Sequence, residues 1–369
     1  MSTSQSQKEK IASLTRRKIE PIEMGLGGSR RAVAKALGGA SRRFAWAALV
    51  ALWVSLCGGV AAQGQATTEP GAISGSGAGK TSQSELLWQK LEATVQKENS
   101  GLDGTMGVAI LDLTDGRVFL QNPDHQFATA SSIKVAILAE LYRQQQKADE
   151  GASGKARLGD LYTFDAHDLV DGSNIMSGLT AGVTRVTNRD LATFMVAVSD
   201  NSATNVLIER VGMQNVNGLL DSLGLHHTRL QRKMMDVKAA QEGRENIATP
   251  REMMTLLASL YEKKVLNKAL TDDFFKVLGT PKESDIPRYI PEGVVCANKP
   301  GQLAGVRNDV GVIFVPNRPF VIVVMTAYLK HEREGDDAIA RIAGAAYDYF
   351  DRLARSSVYG RMVTEGTSH

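Results

Sequence analysis

The chain has 369 residues, 43% hydrophobic and 22% charged, which leaves room for one large domain or two small ones and excludes a disordered or fibrous protein. Its net charge of +3 is unevenly spread: residues 1–43 carry ten Lys or Arg against three acids, and the remainder 33 basic against 37 acidic residues. The basic surplus therefore belongs to the leader, and the body lacks the footprint of a nucleic-acid binder.

Taken in chain order, the first feature resembles an export signal. Arg42 and Arg43 precede nineteen uncharged residues, Phe44 to Ala62, with Val60 and Ala62 spaced for cleavage. The 43 residues ahead of this run are long for a charged leader, so Met24 is a second candidate start. Ser41-Arg42-Arg43-Phe44 is a poor twin-arginine match, and Leu56 before Cys57 is too bulky for a good lipobox. The two readings are a processed signal and a single-span anchor through residues 44–62. Both export the body, to a periplasmic or extracellular site. Cys296 is the one cysteine beyond that segment, so no intrachain disulfide is expected.

Residues 63–83 are a Gly/Ser/Thr/Ala linker. It holds a decoy: GSGAGKT looks like a phosphate-binding loop, but Ser74 stands where the first glycine is required and no apolar strand precedes it. Structure begins at Ser82, where Ser-Gln-Ser-Glu forms a capping box through Glu85 and Leu87, Leu91 and Val95 share a helical face. Two strands follow, 106–113 and 117–121, joined by Thr114-Asp115-Gly116 as a hairpin turn. The stretch from about Ser131 to Lys264 is mostly helical in period, with polar loops between. Strands return at 293–297, 309–315 and 320–326, the last two joined by a turn through Pro316 and Pro319. A closing helix, 336–353, turns Ile339, Ile342, Ala346 and Tyr349 to one side. This order predicts an α+β fold: one antiparallel five-stranded sheet completed by both ends of the chain, flanked by helices, with an all-helical lobe. The domain spans 84–355, followed by a tail at 356–369, and a monomer is expected.

Three short motifs lie along this frame. In TASSIKVAIL, Ser131 and Lys134 are three apart, so on a helix they share a face. Apolar neighbours on both sides of Lys134 favour its burial, which lowers a lysine's pKa toward the basic, neutral form. Ser131 thus reads either as part of a plain helix start or as a nucleophile with its base one turn away. Ser199-Asp200-Asn201 interrupts apolar stretches 68 residues on, and Lys299-Pro300-Gly301 follows after another 100. Each alone has an ordinary reading, as a helix N-cap cluster and a turn.

Ser-x-x-Lys, Ser-Asp-Asn and Lys-Pro-Gly in this order resemble the active-site serine penicillin-recognising enzymes, and most closely the class A β-lactamase-like serine hydrolases. The resemblance runs from about Glu85 to Leu353. It implies that Ser131 attacks a β-lactam or acyl-D-alanyl carbonyl to form an ester, and that Lys134 accepts its proton directly or relays it. It implies that Ser199 passes a proton to the leaving nitrogen beside Lys299, and that Asn201 holds a substrate amide. Backbone N–H groups of Ser131 and Gln302, next to Gly301, would form an oxyanion hole, worth roughly 3–4 kcal/mol per donor. Arg307 would hold the substrate carboxylate. No cofactor and no metal are expected: His226 and His227 are adjacent and without partners at ligand spacing.

Thr228-Arg229-Leu230 opens a loop that closes at Thr249-Pro250, as the family's omega loop does. There the sequence departs from the pattern. Met234 stands where the β-lactamases carry the glutamate that activates the deacylating water, and Lys238 where they carry asparagine. Methionine cannot take a proton. Asp236 is the nearest substitute for deacylation, although a loop-stabilising acid is its simpler reading. Arg232 and Asn246 would close the loop's neck, and Met234 and Met235 would pack beneath it. Pro300 replaces the usual threonine, removing a hydroxyl and an N–H. Ile175 or Met176 would cover the cleft mouth in place of an aromatic. The resemblance therefore implies an exported β-lactam-opening hydrolase. A slow-turnover penicillin-binding D,D-peptidase or esterase on peptidoglycan-like substrates and a non-catalytic cell-wall binding module are its alternatives.

Overall fold

The computed structural model describes residues 82–363; the expected export signal or anchor, most of the expected linker and the end of the expected tail lie outside the described residues. Helix α1 (Gln83–Gly101) is capped by the Ser82 hydroxyl, which accepts from the Glu85 N–H at 3.2 Å. Strands β1 (Thr105–Asp112) and β2 (Val118–Gln121) form the expected hairpin. Strands β7 (Cys296–Leu303), β8 (Val306–Ile313) and β9 (Phe320–Ala327) complete one antiparallel sheet in the order β2-β1-β9-β8-β7. Helix α9 (Glu332–Ala354) closes the chain and packs with α1 on one face.

The central strand explains why this sheet reads as unbroken apolar runs. In β9, Phe320, Ile322 and Val324 enter the core shared with α1 and α9, whereas Val321, Val323 and Met325 enter the core shared with the helical lobe. Both faces are covered, so the polar alternation of a half-exposed strand disappears. On the α1–α9 side, Trp88 meets Tyr349 edge-on at 5.2 Å and Arg117 lies 4.1 Å over the Trp88 ring.

The lobe is built around α2 (Lys134–Asp149), which is buried on nearly all sides in its first turns. Helices α3 (Asn188–Ala197), α4 (Asn201–Val211), α5 (Met213–Ser222), α7 (Pro250–Tyr261) and α8 (Lys268–Leu278) share its core, while the short α6 (Val237–Gln241) lies within the omega-like loop. Two small ladders tie the lobe's connections: β3 (Phe127–Ala128) with β6 (Ile247–Ala248), and β4 (Leu161–Thr163) with β5 (Arg185–Thr187).

Two differences from the sequence reading have clear causes. The segment 150–184 is mainly loop with short 3₁₀ turns, because six glycines interrupt its helical period. Strand β7 does not stop before Lys299 but continues through Pro300 to Leu303. Proline is tolerated there because β7 is an edge strand and needs no ladder N–H on its open side.

Candidate active site

Ser131 sits in a 3₁₀ turn, Ala130–Ile133, that feeds directly into α2. No side chain caps this start: the Thr129 hydroxyl reaches instead to the Asn246 carbonyl at 3.1 Å. Ala130 before the nucleophile candidate has φ 48°, and Ser199 has φ 56°. Left-handed backbone at two non-glycine residues stores strain, here beside the two hydroxyls that meet. They meet at 2.9 Å, Ser199 Oγ donating to Ser131 Oγ.

Two buried lysines converge on Ser199. Lys134 Nζ donates to the Ser199 carbonyl at 2.7 Å, to Ser199 Oγ at 3.0 Å and to Asn201 Oδ1 at 2.9 Å. Lys299 Nζ lies 3.2 Å from Ser199 Oγ and 3.1 Å from the Pro300 carbonyl. Lys134 therefore reaches Ser131 through Ser199. Burial pushes Lys134 well below the ordinary lysine value, the Lys299 charge adds to the drop, and Asp200 opposes it. Burial brings Lys299 down to about 7, with Asp309 pulling up and Lys282 pushing further down. Lys299 is thus poised to exchange protons near neutral pH, and Lys134 is shifted toward its neutral, basic form.

The frame around these groups is tight. A Cβ on Gly301 would lie 2.5 Å from the Thr129 carbonyl and 3.1 Å from the Ser131 nitrogen, so only glycine lets β7 approach the nucleophile turn. Gln302, the next residue, lines the same cleft as Ser131. Gly172, at φ 73°, leaves room for Asn201, whose Nδ2 donates to the Asp171 carbonyl at 2.9 Å. Asp200 is fully buried. It caps α4 through Ala203 N at 3.0 Å and accepts from the Ile175 and Met176 N–H groups, each at 2.9 Å. It thereby ties the cleft-mouth loop to the Ser-Asp-Asn motif, a role its N-cap position announces only in part.

Ser131, Ser199, Asn201, Lys299 and Gln302 line one cleft of about 640 Å³. Arg307 does not join them. Its guanidinium is turned to α9, 3.3 Å from Glu332 and 3.0 Å from Asp336, and donates to the Leu303 and Val306 carbonyls. Strand parity is the reason: Val310 and Val312 face the lobe, so Asn308 shares their side and Arg307 points the other way. Asn308, which the sequence reading did not single out, donates to the Ala128 and Thr129 carbonyls at 2.8 and 3.1 Å and accepts from Thr326 N at 3.1 Å. It fastens the segment before Ser131 to the sheet.

The omega-like loop is anchored but does not present its acid to the cleft. Asn246 Oδ1 accepts from the Gln231 and Arg232 N–H groups at 2.7 and 3.0 Å, and Arg232 pairs with Glu245 at 2.7 Å, closing the neck. Met234 is buried, its N–H and C=O held by Asn205 at 2.8 and 3.1 Å. Asp236 accepts from Ala239 N at 3.0 Å as the cap of α6. With Met234 and Met235 it lines a separate cavity of about 270 Å³. Cleft residues that no motif marks are Lys282 and Glu283, on the loop after α8. Burial brings Lys282 down to about 8, against Asp309 and Cys296. Among the described residues no cluster of three or more His, Cys, Asp or Glu could hold a metal ion.

Comparison with known proteins agrees with this arrangement. A family model described as the beta-lactamase enzyme family matches residues 86–350. The chain is 28% identical over 269 residues to Beta-lactamase SME-1 of Serratia marcescens, covering 70% of this chain and 88% of that protein. It is 32% identical to a solved beta-lactamase of Sphaerobacter thermophilus, with a TM-score of 0.64 over 71% of this chain and 97% of the other. The fold is shared with PBP-A at 22% identity and a TM-score of 0.63, over 72% of this chain and 97% of that one. With the motif residues gathered at one cleft in an α+β frame of this kind, the chain belongs to the beta-lactamase enzyme family.

Proposed function

We propose that this protein is an exported serine hydrolase that opens β-lactams at Ser131 and releases the resulting acyl-enzyme slowly. The observation that carries the first half is the continuous run of contacts from Lys134 and Lys299 through Ser199 to Ser131. As Ser131 Oγ attacks the carbonyl carbon, its proton passes to Ser199 Oγ while the Ser199 proton passes to neutral Lys134. Collapse of the tetrahedral intermediate breaks the C–N bond, and Ser199 protonates the nitrogen, its own proton returned by Lys134. Ser131 and Gln302 both line the cleft, and their N–H groups would meet the oxyanion.

The second half rests on the loop. Deacylation needs a base beside the ester, and Met234 has none while Asp236 is committed to capping α6. An enzyme that acylates without a deacylating base would hold its acyl-enzyme as a penicillin-binding enzyme does, with peptidoglycan-like amides as its other substrate class. A fast-turnover reading has one observation in its favour: Glu283, an exposed carboxylate, lines the cleft.

The test is intact-protein mass after mixing residues 63–369 with benzylpenicillin. An adduct that persists for hours supports the proposal. One that clears within seconds overturns the slow release, and Glu283→Gln then decides whether that carboxylate supplies the base. No adduct overturns the acyl-enzyme itself. Export rests on the Arg42-Arg43 and apolar 44–62 pattern, and cell fractionation with N-terminal sequencing of the mature protein checks it.

A further inference from the structure

Beyond the last helix the chain makes one more structured element. After Ala354 it forms a small hairpin, in which Ser356 bridges Met362 and the Val363 N–H donates to the Arg355 carbonyl at 2.7 Å. The Ser357 N–H donates to the Arg361 carbonyl at 2.9 Å, and the Gly360 N–H returns to the Ser357 carbonyl at 2.8 Å, with Gly360 at φ 80°. The two corner positions of that turn are Val358 and Tyr359, 90% and 85% exposed. Corners of tight turns ordinarily carry Gly, Pro, Asn, Asp or Ser, which suit both the backbone and water. Here a firmly bonded turn holds an aliphatic and an aromatic side chain out into solvent. Met362 and Val363, each half exposed, extend the apolar surface.

The hairpin lies against the start of α1: a Cβ on Gly360 would come 2.7 Å from Gln83 Oε1. Leu86, three residues on from Gln83 and so on the same helix face, is also half exposed. Twenty residues, 63–82, join this end of α1 to the apolar run 44–62. A bilayer that holds that run is thereby tethered to the end of the domain that carries the tip. Arg361, exposed between Gly360 and Met362, suits anionic headgroups, and tyrosine is a side chain that settles at the boundary of headgroup and acyl chain. The patch shares no residue with the cleft around Ser131.

We propose that the tail hairpin, residues 355–363, docks on a membrane: Val358 and Tyr359 enter the interface of an anionic bilayer, and Arg361 pairs with its headgroups. Docking turns the start of α1 toward the lipid and is independent of the hydrolase chemistry.

The test is photo-crosslinking of the full chain in vesicles of equal parts phosphatidylcholine and phosphatidylglycerol, with p-benzoylphenylalanine replacing Tyr359. The control replaces Tyr328, also 85% exposed but at the other end of α1. There the Lys330 N–H donates to the Asp103 carbonyl at 3.3 Å, and the 19 residues of α1 put about 28 Å between its ends. The expected result is a lipid adduct by intact mass at position 359, with a yield about fivefold or more above that at 328. Val358→Ser and Arg361→Gln, each added to the probe at 359, should lower that yield about threefold. All three side chains are exposed, so the core is untouched. Equal lipid yields at 359 and 328 mean a domain that brushes the bilayer at random, and they overturn the proposal. Crosslinks between two copies assign the patch to self-association and overturn it as well, as does no adduct at 359. A yield unmoved by either substitution takes the tip's side chains out of the lipid and does the same.

Discussion

The two sides of the cleft differ in kind. On the Ser131 side, Ser131, Ser199, Lys134 and Lys299 touch one another, amid strained backbone at Ala130 and Ser199 and a glycine at contact distance. On the omega-like loop, the backbone is as firmly tied, through Asn205, Asn246 and the Arg232–Glu245 pair, yet its acid Asp236 caps a short helix and lines a separate cavity. Rigid framing and reactive side chains are therefore separable properties. A loop can keep its architecture without an acid facing the cleft, whereas the groups around Ser131 are packed against one another.

The sharpest way to break this contrast is at the nucleophile. Ser131→Ala is expected to abolish the penicillin adduct entirely by intact mass, whereas a residual covalent adduct would assign attack to another group. Lys134→Ala and Ser199→Ala should each slow acylation by about 10²–10⁴, the range for losing a general base, and stopped-flow acylation with a chromogenic β-lactam measures it.

Next in size is the seat of the nucleophile turn. Asn308→Ala removes two bonds to the Ala128 and Thr129 carbonyls and one to Thr326 N. Leaving such buried groups unpaired costs about 1–3 kcal/mol each at most. The variant should lose stability in urea and acylate about tenfold slower, whereas an unchanged acylation rate would make Asn308 a purely structural clamp.

A subtler handle is pH. Lys299 holds its proton up to about 7 in the fold, but up to the ordinary lysine value of 10.5 when unfolded. The unfolded chain thus binds more protons between those values, and raising the pH favours the native state. Relative to Lys299→Met, wild type should gain up to about 1.4 kcal/mol per pH unit between pH 7 and 10, read from urea midpoints. A flat difference would mean that Lys299 titrates normally.

The smallest expected effect is the most telling for the loop. Asp236→Asn should leave adduct clearance within about twofold and cost at most a few tenths of a kcal/mol, because asparagine caps nearly as well as aspartate. Loss of clearance would return a catalytic duty to the omega-like loop.

Much of this was legible in the residues. The three motifs named the groups that the fold gathers, because Ser-x-x-Lys on a helix start and Ser-Asp-Asn at the next cap have local geometry that scarcely depends on the rest. The strands β1, β8 and β9 declared themselves by continuous apolar runs. What stayed hidden depends on long-range placement. Arg307 was read as facing the cleft, yet counting two by two from Val310 and Val312 sets it on the opposite face. Strand β7 seemed to end before Pro300, since only the sheet's strand order reveals an open edge there. Lys282 carries no motif, and nothing in its neighbours says that the loop folds over the cleft. The loops expected within the helical stretch were not delimited, and the longest of them runs through 150–184.

The grip of Asn205 on both backbone atoms of residue 234 has an evolutionary consequence. Because the bonds are made to the peptide and not to the side chain, mutation at this position leaves the loop's scaffold standing. A lineage of such chains can therefore sample residues at 234 without first rebuilding the ground they stand on.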